Sequence, residues 1–296
     1  MAGAVEGPRA RRRVVNESSV GSERRGVVAV TGGGSGLGAA MAGAFAAAGY
    51  DVGVLDVDGP RAQETADAVA AGGRASIAIG VDVADPGSMA AAAAAIEAEL
   101  GPVAVLCANV GVQQFGAIDR LTPEDWQWVL SVNVFGTVNT VTSFLPSIRR
   151  AGGPRHIVLT ASAAVFQVGP RLGAYTTSKH AVFGFGETLR LELAPEGIGV
   201  SMLFPAGMAT RHLDSSAAAR PAELGPSVTL QEDFVALMAS TTVTESSVVT
   251  PDFAIRNLLA DLEQGEPYIF THGDYREEIV ERSEAILKAF DRQAGG

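Results

Sequence analysis

A doubly wound parallel sheet of about seven strands, with helices on both faces, is the α/β fold class that this chain of 296 residues predicts. Three observations carry it. Short apolar runs alternate with helix-patterned segments along most of the chain, as βαβ units require. A glycine-rich turn from Thr31 to Gly38 joins the first apolar run to the first helix pattern. Asp56 closes the second apolar run, about 20 residues after Gly36, where such a sheet places an acid for a ribose hydroxyl.

The elements follow in order. Val27, Val28, Ala29 and Val30 form a buried strand over 27–31, and the Ala-rich run after the glycines is a helix over 36–48. A second strand covers 51–55. Asp58-Gly59-Pro60 then starts a helix, proline suiting its first turn, and Gly72-Gly73 stops it. A third strand over 75–81 closes on Asp82-Val83. Asp85 caps the next helix, whose Ala90–Ala95 run has high helix propensity, and Gly101-Pro102 ends it. The fourth strand is 103–107. Thr122-Pro123-Glu124-Asp125 has the form of a capping box and opens a long helix to about Arg149, where Gly136 implies a bend or close packing. Strands over 156–160 and 198–204 flank a helix over 174–194. The pattern weakens from 207 to 250, with a helix near 231–239; a stretch that irregular inside a domain is usually functional. A helix over 251–264, a short strand over 268–271 and a terminal helix over 275–292 complete the chain.

This alternation has no break, and 47% hydrophobic residues suffice for one core, so a single domain is expected over 26–296. Residues 1–25, with Arg9, Arg11, Arg12, Arg13, Arg24 and Arg25 among small polar residues, are expected to be a disordered tail; they lack the apolar region of a secretory signal. A formal charge of −11 argues against nucleic acid or an anionic membrane as partner. No apolar segment reaches the roughly 18 residues of a membrane span. The one cysteine, Cys107, excludes an intrachain disulfide and points to a reducing, cytoplasmic setting. It lies in an apolar run and reads as a small buried hydrophobe.

Strand, glycine turn and helix together make a phosphate-binding loop. Glycines let backbone N–H groups approach a ligand, and the helix N-terminus adds unpaired donors and partial positive charge. With Asp56 in place the reading is dinucleotide binding. The chemistry is read from Tyr175 and Lys179, four apart on a predicted helix and so on one face. A tyrosine serves an alcohol/ketone pair as acid or base if its pKa is lowered, and a neighbouring ammonium lowers it. Ser162, in the preceding loop, can bond the substrate oxygen.

On these residues the chain resembles the classical short-chain dehydrogenase/reductase family, from about 26 to 296. The family's Thr-Gly-x-x-x-Gly-x-Gly loop is matched by Thr31, Gly32, Gly36 and Gly38, with Gly34, Ser35 and Leu37 between. Its acid after the second strand is matched by Asp56, followed by Val57, and its adenine-contacting pair by Asp82-Val83. Asn133 stands in its Val-Asn-x-x-Gly context, and Tyr175-Thr176-Thr177-Ser178-Lys179 in its Tyr-x-x-Ser-Lys core, with Ser162 at the family's spacing. Two segments depart: Ala108-Asn109-Val110-Gly111 replaces Asn-Asn-Ala-Gly, and Pro205-Ala206-Gly207-Met208-Ala209-Thr210 displaces the glycine of Pro-Gly-x-x-x-Thr by one. The resemblance implies a Rossmann-type domain that transfers hydride at nicotinamide. In it Tyr175 exchanges the proton, Ser162 polarises the oxygen, Lys179 lowers the Tyr175 pKa and bonds the ribose, and Asn133 holds a water. Met208 and Thr210 would contact the carboxamide. A homo-oligomer, dimer or tetramer, packed through the 123–149 and 174–194 helices, is also implied; no metal is.

NAD is expected rather than NADP, because Asp56 can accept bonds from both ribose hydroxyls and would repel a 2′-phosphate. The substrate is expected to be a secondary alcohol or ketone with a bulky apolar body, aryl or alicyclic. Gln113, Phe115, Ala164, Phe166 and Leu213 are candidate pocket residues, and 207–250 a candidate lid. Two other readings stand beside this one: a ketoreductase acting on acyl thioesters, for which Arg171, Arg211 and His212 are the available basic residues, and a non-catalytic dinucleotide sensor, against which the intact catalytic set argues.

Overall fold

A computed structural model describes residues 24–208, 212–240, 248–273 and 275–294 of the chain. Seven strands form one sheet: β1 (Gly26–Thr31), β2 (Tyr50–Asp56), β3 (Ser76–Gly80), β4 (Val103–Ala108), β5 (Arg155–Thr160), β6 (Ile198–Phe204) and β7 (Tyr268–Phe270). Their order is β3-β2-β1-β4-β5-β6-β7, and every neighbouring pair is parallel. The chain winds outward from β1 on one side, then returns and winds outward from β4 on the other. The order reverses between β1 and β4, so a crevice opens at their carboxyl ends.

The helices are α1 (Gly36–Ala47), α2 (Gly59–Ala71), α3 (Pro86–Leu100), α4 (Pro123–Leu130), α5 (Gly136–Arg150), α6 (Gly173–Leu193), α7 (His212–Ala219), α8 (Gln231–Ser240), α9 (Pro251–Ala254), α10 (Leu258–Gln264) and α11 (Arg276–Ala294). Their starts follow the capping chemistry. The Asp58 carboxylate accepts from Arg61 N, and that of Asp85 from Gly87 N. Thr122 and Asp125 bond each other's backbone N–H in a complete capping box. The strands are apolar because both faces are covered. Alternate β1 residues go to opposite cores: Val27 and Ala29 join Met89, Ile96, Phe144 and Ile148, while Val28 and Val30 join Met41, Phe45, Val69 and Leu258. Side chains of this size each contribute about 1.5–3 kcal/mol on full burial.

Four expectations change. The long helix over 123–149 is interrupted by a π-turn at Ser131–Phe135, and Gly136 marks close packing: a Cβ there would press on the Val83 side chain. The 251–264 helix is two pieces, α9 and α10. Arg24 and Arg25 belong to the body rather than the tail: Arg24 pairs with Asp51 and donates to Leu100 O, while Arg25 pairs with Glu263. The rest of the expected tail, 1–23, lies outside the described residues. Finally, the helical run Pro123–Arg150 is long and apolar enough to cross a membrane by length and composition, although no such segment was expected; here Val129, Val141, Phe144 and Ile148 on it are buried within the domain.

Candidate active site

A cleft of about 1160 Å3 runs along the carboxyl edge of the sheet. Its floor is the turn between β1 and α1. Gly32 adopts φ +63°, a conformation that favours glycine. Gly38, in the first turn of α1, lies against Gly32 so closely that a Cβ would overlap the Gly32 carbonyl oxygen. Ser35 precedes the helix but makes no side-chain cap, which leaves first-turn N–H groups open toward the cleft. This cradle suits a pyrophosphate. Ser35, Gly36 and Leu37 line it.

Thr31 and Gly34 shape the cradle without lining it. Thr31 is buried; its hydroxyl accepts from Asn109 N at 3.0 Å and donates to Cys107 O at 3.4 Å, tying β1 to the turn after β4. Gly34 N donates to Asp56 Oδ2 at 2.9 Å, and Asp58 N donates to Asp56 Oδ1 at 3.0 Å. The carboxylate is thereby fixed at the cleft wall beside Val57, with Asp82 and Val83 lining the same end. Arg61, also at this end, is paired with Asp58. A dinucleotide fits this donor set: backbone N–H groups for the phosphates and an oriented carboxylate for a ribose.

Asn109, Val110 and Gly111 continue the wall at the middle of the sheet. Asn109 Oδ1 accepts from Thr160 Oγ1 at 3.1 Å, which holds the ends of β4 and β5 together. Ser162, Tyr175 and Lys179 converge on the cleft from the loop after β5 and from α6. Ser162 hydrogen-bonds the Tyr175 side chain. Burial raises the Tyr175 hydroxyl above its ordinary pKa, and the Ser162 bond works against that rise. Lys179 Nζ lies 5.7 Å from the Tyr175 ring centroid and donates to Thr160 O at 2.9 Å. Burial pushes the Lys179 ammonium down to about 8. Burial is the larger of the two causes of the Tyr175 shift, and Lys179, expected to lower that pKa, is not among them.

Asn133 does not line the cleft. It sits in the π-turn, fully buried, with Oδ1 accepting from Val112 N at 2.7 Å and Nδ2 donating to Val112 O and Ser178 Oγ at 2.9 Å each. Its side chain fixes the loop after β4 to the helix that carries Tyr175. Pro205, Gly207 and Met208 line the cleft; Thr210 and Arg211 lie outside the described residues.

Of the expected substrate residues, Gln113, Phe115, Ala164 and Leu213 line the cleft, with Val112, Ala163, Leu237 and Met238. Phe166 does not. It points into an aromatic cluster with Phe183, Phe204 and Phe270, because the short turn after Ser162 turns it toward β6 and β7.

The 207–250 segment closes at its neck, where Met208 bridges Val249. Three anchors then hold its described parts to the body. Ser216 Oγ accepts from Gln113 N at 3.0 Å. Arg220, nearly buried, pairs with Asp125 at 2.7 Å, donates to Gln114 Oε1 and lies over the Trp128 ring. Asp233, fully buried at its side chain, takes Arg120 at 2.5 Å and Arg171 at 3.3 Å. Sequence reasoning missed Arg220 and Asp233. Their partners lie about 100 residues away or more in several cases, and nothing local marks them. Arg171, once a candidate for holding a thioester's phosphate, is committed to Asp233.

A parallel sheet with a dinucleotide cradle at its reversal point, and a serine, tyrosine and lysine meeting beside it, defines an oxidoreductase framework. The chain matches the short chain dehydrogenase family over residues 26–221 and belongs to it. It is 30% identical to the C alpha-dehydrogenase of a Sphingobium species over 263 residues, 88% of this chain and 85% of that protein. It is 33% identical to the 1-deoxy-11-beta-hydroxypentalenate dehydrogenase of Streptomyces exfoliatus, over 69% of this chain and 74% of the relative. Among solved structures, a Burkholderia phymatum short chain dehydrogenase/reductase in complex with NAD aligns with a TM-score of 0.81 at 29% identity, covering 90% of this chain and 95% of that one.

Proposed function

We propose that the chain is an NAD-dependent dehydrogenase that interconverts a secondary alcohol and a ketone, with a bulky apolar aryl or alicyclic body on the substrate. The observation that carries this reading is the convergence of Ser162, Tyr175 and Lys179 at the middle of a cleft whose far wall is mostly apolar. Ser35, Gly36 and Leu37 would hold the pyrophosphate, Asp56 the adenosine ribose, Asp82 and Val83 the adenine, and Tyr175 and Lys179 the second ribose. Gly207 and Met208 would flank the nicotinamide. Bound NAD supplies the acceptor for the hydride that leaves the carbinol carbon. Tyr175 takes the hydroxyl proton, Ser162 holds the oxygen as it becomes a carbonyl, and Lys179, below a pH of about 8, contributes positive charge beside them. Asn133 positions the Tyr175 helix against the loop after β4.

The test is an oxidation panel run with NAD and NADP side by side. Aryl and alicyclic secondary alcohols are expected to outpace sorbitol and 3-hydroxybutyrate, with NAD the better cofactor. The opposite ranking of alcohols, or equal efficiency with both cofactors, overturns the corresponding half of the proposal.

The same reading makes 207–250 a lid. Its support is the arrangement of a tied neck and three polar anchors around a segment that lines the cleft. Amide hydrogen exchange across 212–240 is expected to slow when NAD and substrate bind together, and unchanged exchange removes the lid from the account.

A further inference from the structure

From 281 to 293 every residue of α11 is exposed, so most of that helix stands clear of the domain. Two of its side chains, four apart and so on one face, nevertheless reach back to the same short turn after β5. That turn begins at Ser162 and lines the cleft with Ala163, Ala164 and Gln167. Glu278 Oε1 accepts from Gln167 Nε2 at 3.4 Å. The Arg282 guanidinium donates through Nη1 to Val165 O. Its Nη2 lies 3.2 Å from His180 Nε2 on α6. His180 Nδ1 bonds Thr176 O at 2.9 Å. A carbonyl oxygen only accepts, so Nδ1 carries the ring proton and Nε2 is left to accept from Arg282. His180 follows Lys179 directly in the chain. One planar group on α11 thus joins the turn of Ser162 to the helix of Tyr175 and Lys179.

We propose that Arg282 is a positioning residue for the alcohol/ketone site: it fixes the Ser162 turn against α6 and so holds the Ser162 and Tyr175 hydroxyls where both reach one substrate oxygen. This rests on the proposed function and gives α11 a part in it. Arg282 acts through Val165, whose N–H donates to Ser162 O at 3.1 Å, so the residue that the guanidinium holds is itself bonded to the serine. A guanidinium suits the task because its planar fork spans two acceptors at fixed geometry, whereas an ammonium is a point donor. The apolar side of the turn is held separately, by Phe166 packing on Phe204 and Phe270. Without Arg282 the turn therefore stays folded and loses only its fixed placement against α6.

The experiment measures kcat and KM, with NAD, for the fastest aryl alcohol of the oxidation panel in wild type, Arg282→Met and Arg282→Lys, and again with Ser162→Ala added to each. A misplacement of about 1 Å caused far from the chemistry costs up to about 10²-fold. Arg282→Met is expected to lower kcat roughly tenfold or more, with KM and NAD affinity within about twofold of wild type. Arg282→Lys, which still donates to Val165 O, is expected to fall between the two. With Ser162→Ala no hydroxyl remains to be positioned, so Arg282→Met should then cost less than about twofold. A side chain that merely supports the fold would lower the melting temperature and leave kcat alone, or cost the same factor with and without Ser162; either result overturns the inference. If Ser162→Ala is too slow to measure, an Arg282→Lys variant no better than Arg282→Met overturns it. An active wild type with unchanged kcat in Arg282→Met overturns this inference alone. A wild type that oxidises none of the aryl or alicyclic alcohols overturns the proposed function, and the inference falls with it.

Discussion

Tyr175→Phe is expected to lower kcat for alcohol oxidation by at least about 10²-fold while NAD affinity changes little. The substitution keeps the ring, and with it the Lys179 contact at 5.7 Å, and removes only the hydroxyl and its bond to Ser162. Lys179 already donates to Thr160 O at 2.9 Å, and neither it nor Ser162 stands where the Tyr175 hydroxyl does. The pH profile separates a chemical loss from a structural one. Burial raises the Tyr175 pKa, so the phenol is protonated through the neutral range and oxidation, which needs a proton acceptor, accelerates as pH rises. Lys179 retains its charge below about 8 and loses it above, so its support for a phenolate fades there and the gain flattens. Wild type should show that rise and Tyr175→Phe should not. A variant that kept more than about a tenth of the wild-type kcat would move the acid/base role elsewhere.

Gly38→Ala is expected to weaken NAD binding about tenfold or more and to lower the melting temperature. The added methyl would overlap the Gly32 carbonyl, which is backbone, and approach to 2.9 Å the Asn109 Nδ2, whose amide is held by Gly32 O and Thr160. Overpacking of this kind costs about 1–3 kcal/mol, and each 1.4 kcal/mol is a factor of about ten in affinity. The same helix supplies the control. A Cβ at Gly43 meets nothing within 4 Å, so Gly43→Ala should stabilise α1 by up to about 1 kcal/mol and leave NAD binding alone. NAD titration and thermal melts on the pair read both effects. Wild-type affinity in Gly38→Ala would show that the loop can shift and that its tightness does not hold the cofactor.

The strands were legible because a sheet covered on both faces writes itself as short apolar runs, and helix starts because Asp58, Asp85 and Thr122 are capping residues followed by proline or acid. The convergence of Ser162, Tyr175 and Lys179 was legible from spacing, since residues four apart share a helix face and loops after parallel strands share an edge. What stayed hidden depends on direction and distance. Whether Thr31, Asn133 or Phe166 faces the cleft or the interior is settled by the neighbours that claim it: Cys107 and Asn109 for the first, Val112 and Ser178 for the second, Phe204 and Phe270 for the third. The π-turn adds one residue to a hydrogen-bonded ring without altering the apolar pattern, so nothing in the composition announces it. Asp233 has no local signature at all; it is an acid in a polar helix start until Arg120 and Arg171 close over it.

Cys107 has a practical consequence. It stands on β4 at the centre of the sheet, wholly shielded, with burial holding its thiol far above the ordinary pKa. As the chain's one sulfhydryl, it gives a thiol-selective reagent no other thiol to modify. Reagent must wait for the middle of the sheet to come apart, so the labelling rate is a clock for opening of the whole domain. Any compound that binds only the closed protein stabilises it by RT ln(1 + [L]/Kd) and so slows that clock by the factor 1 + [L]/Kd. The unknown alcohol can therefore be sought without turnover and without an absorbance signal: in the presence of NAD, the compounds that delay modification of Cys107 are those the cleft holds.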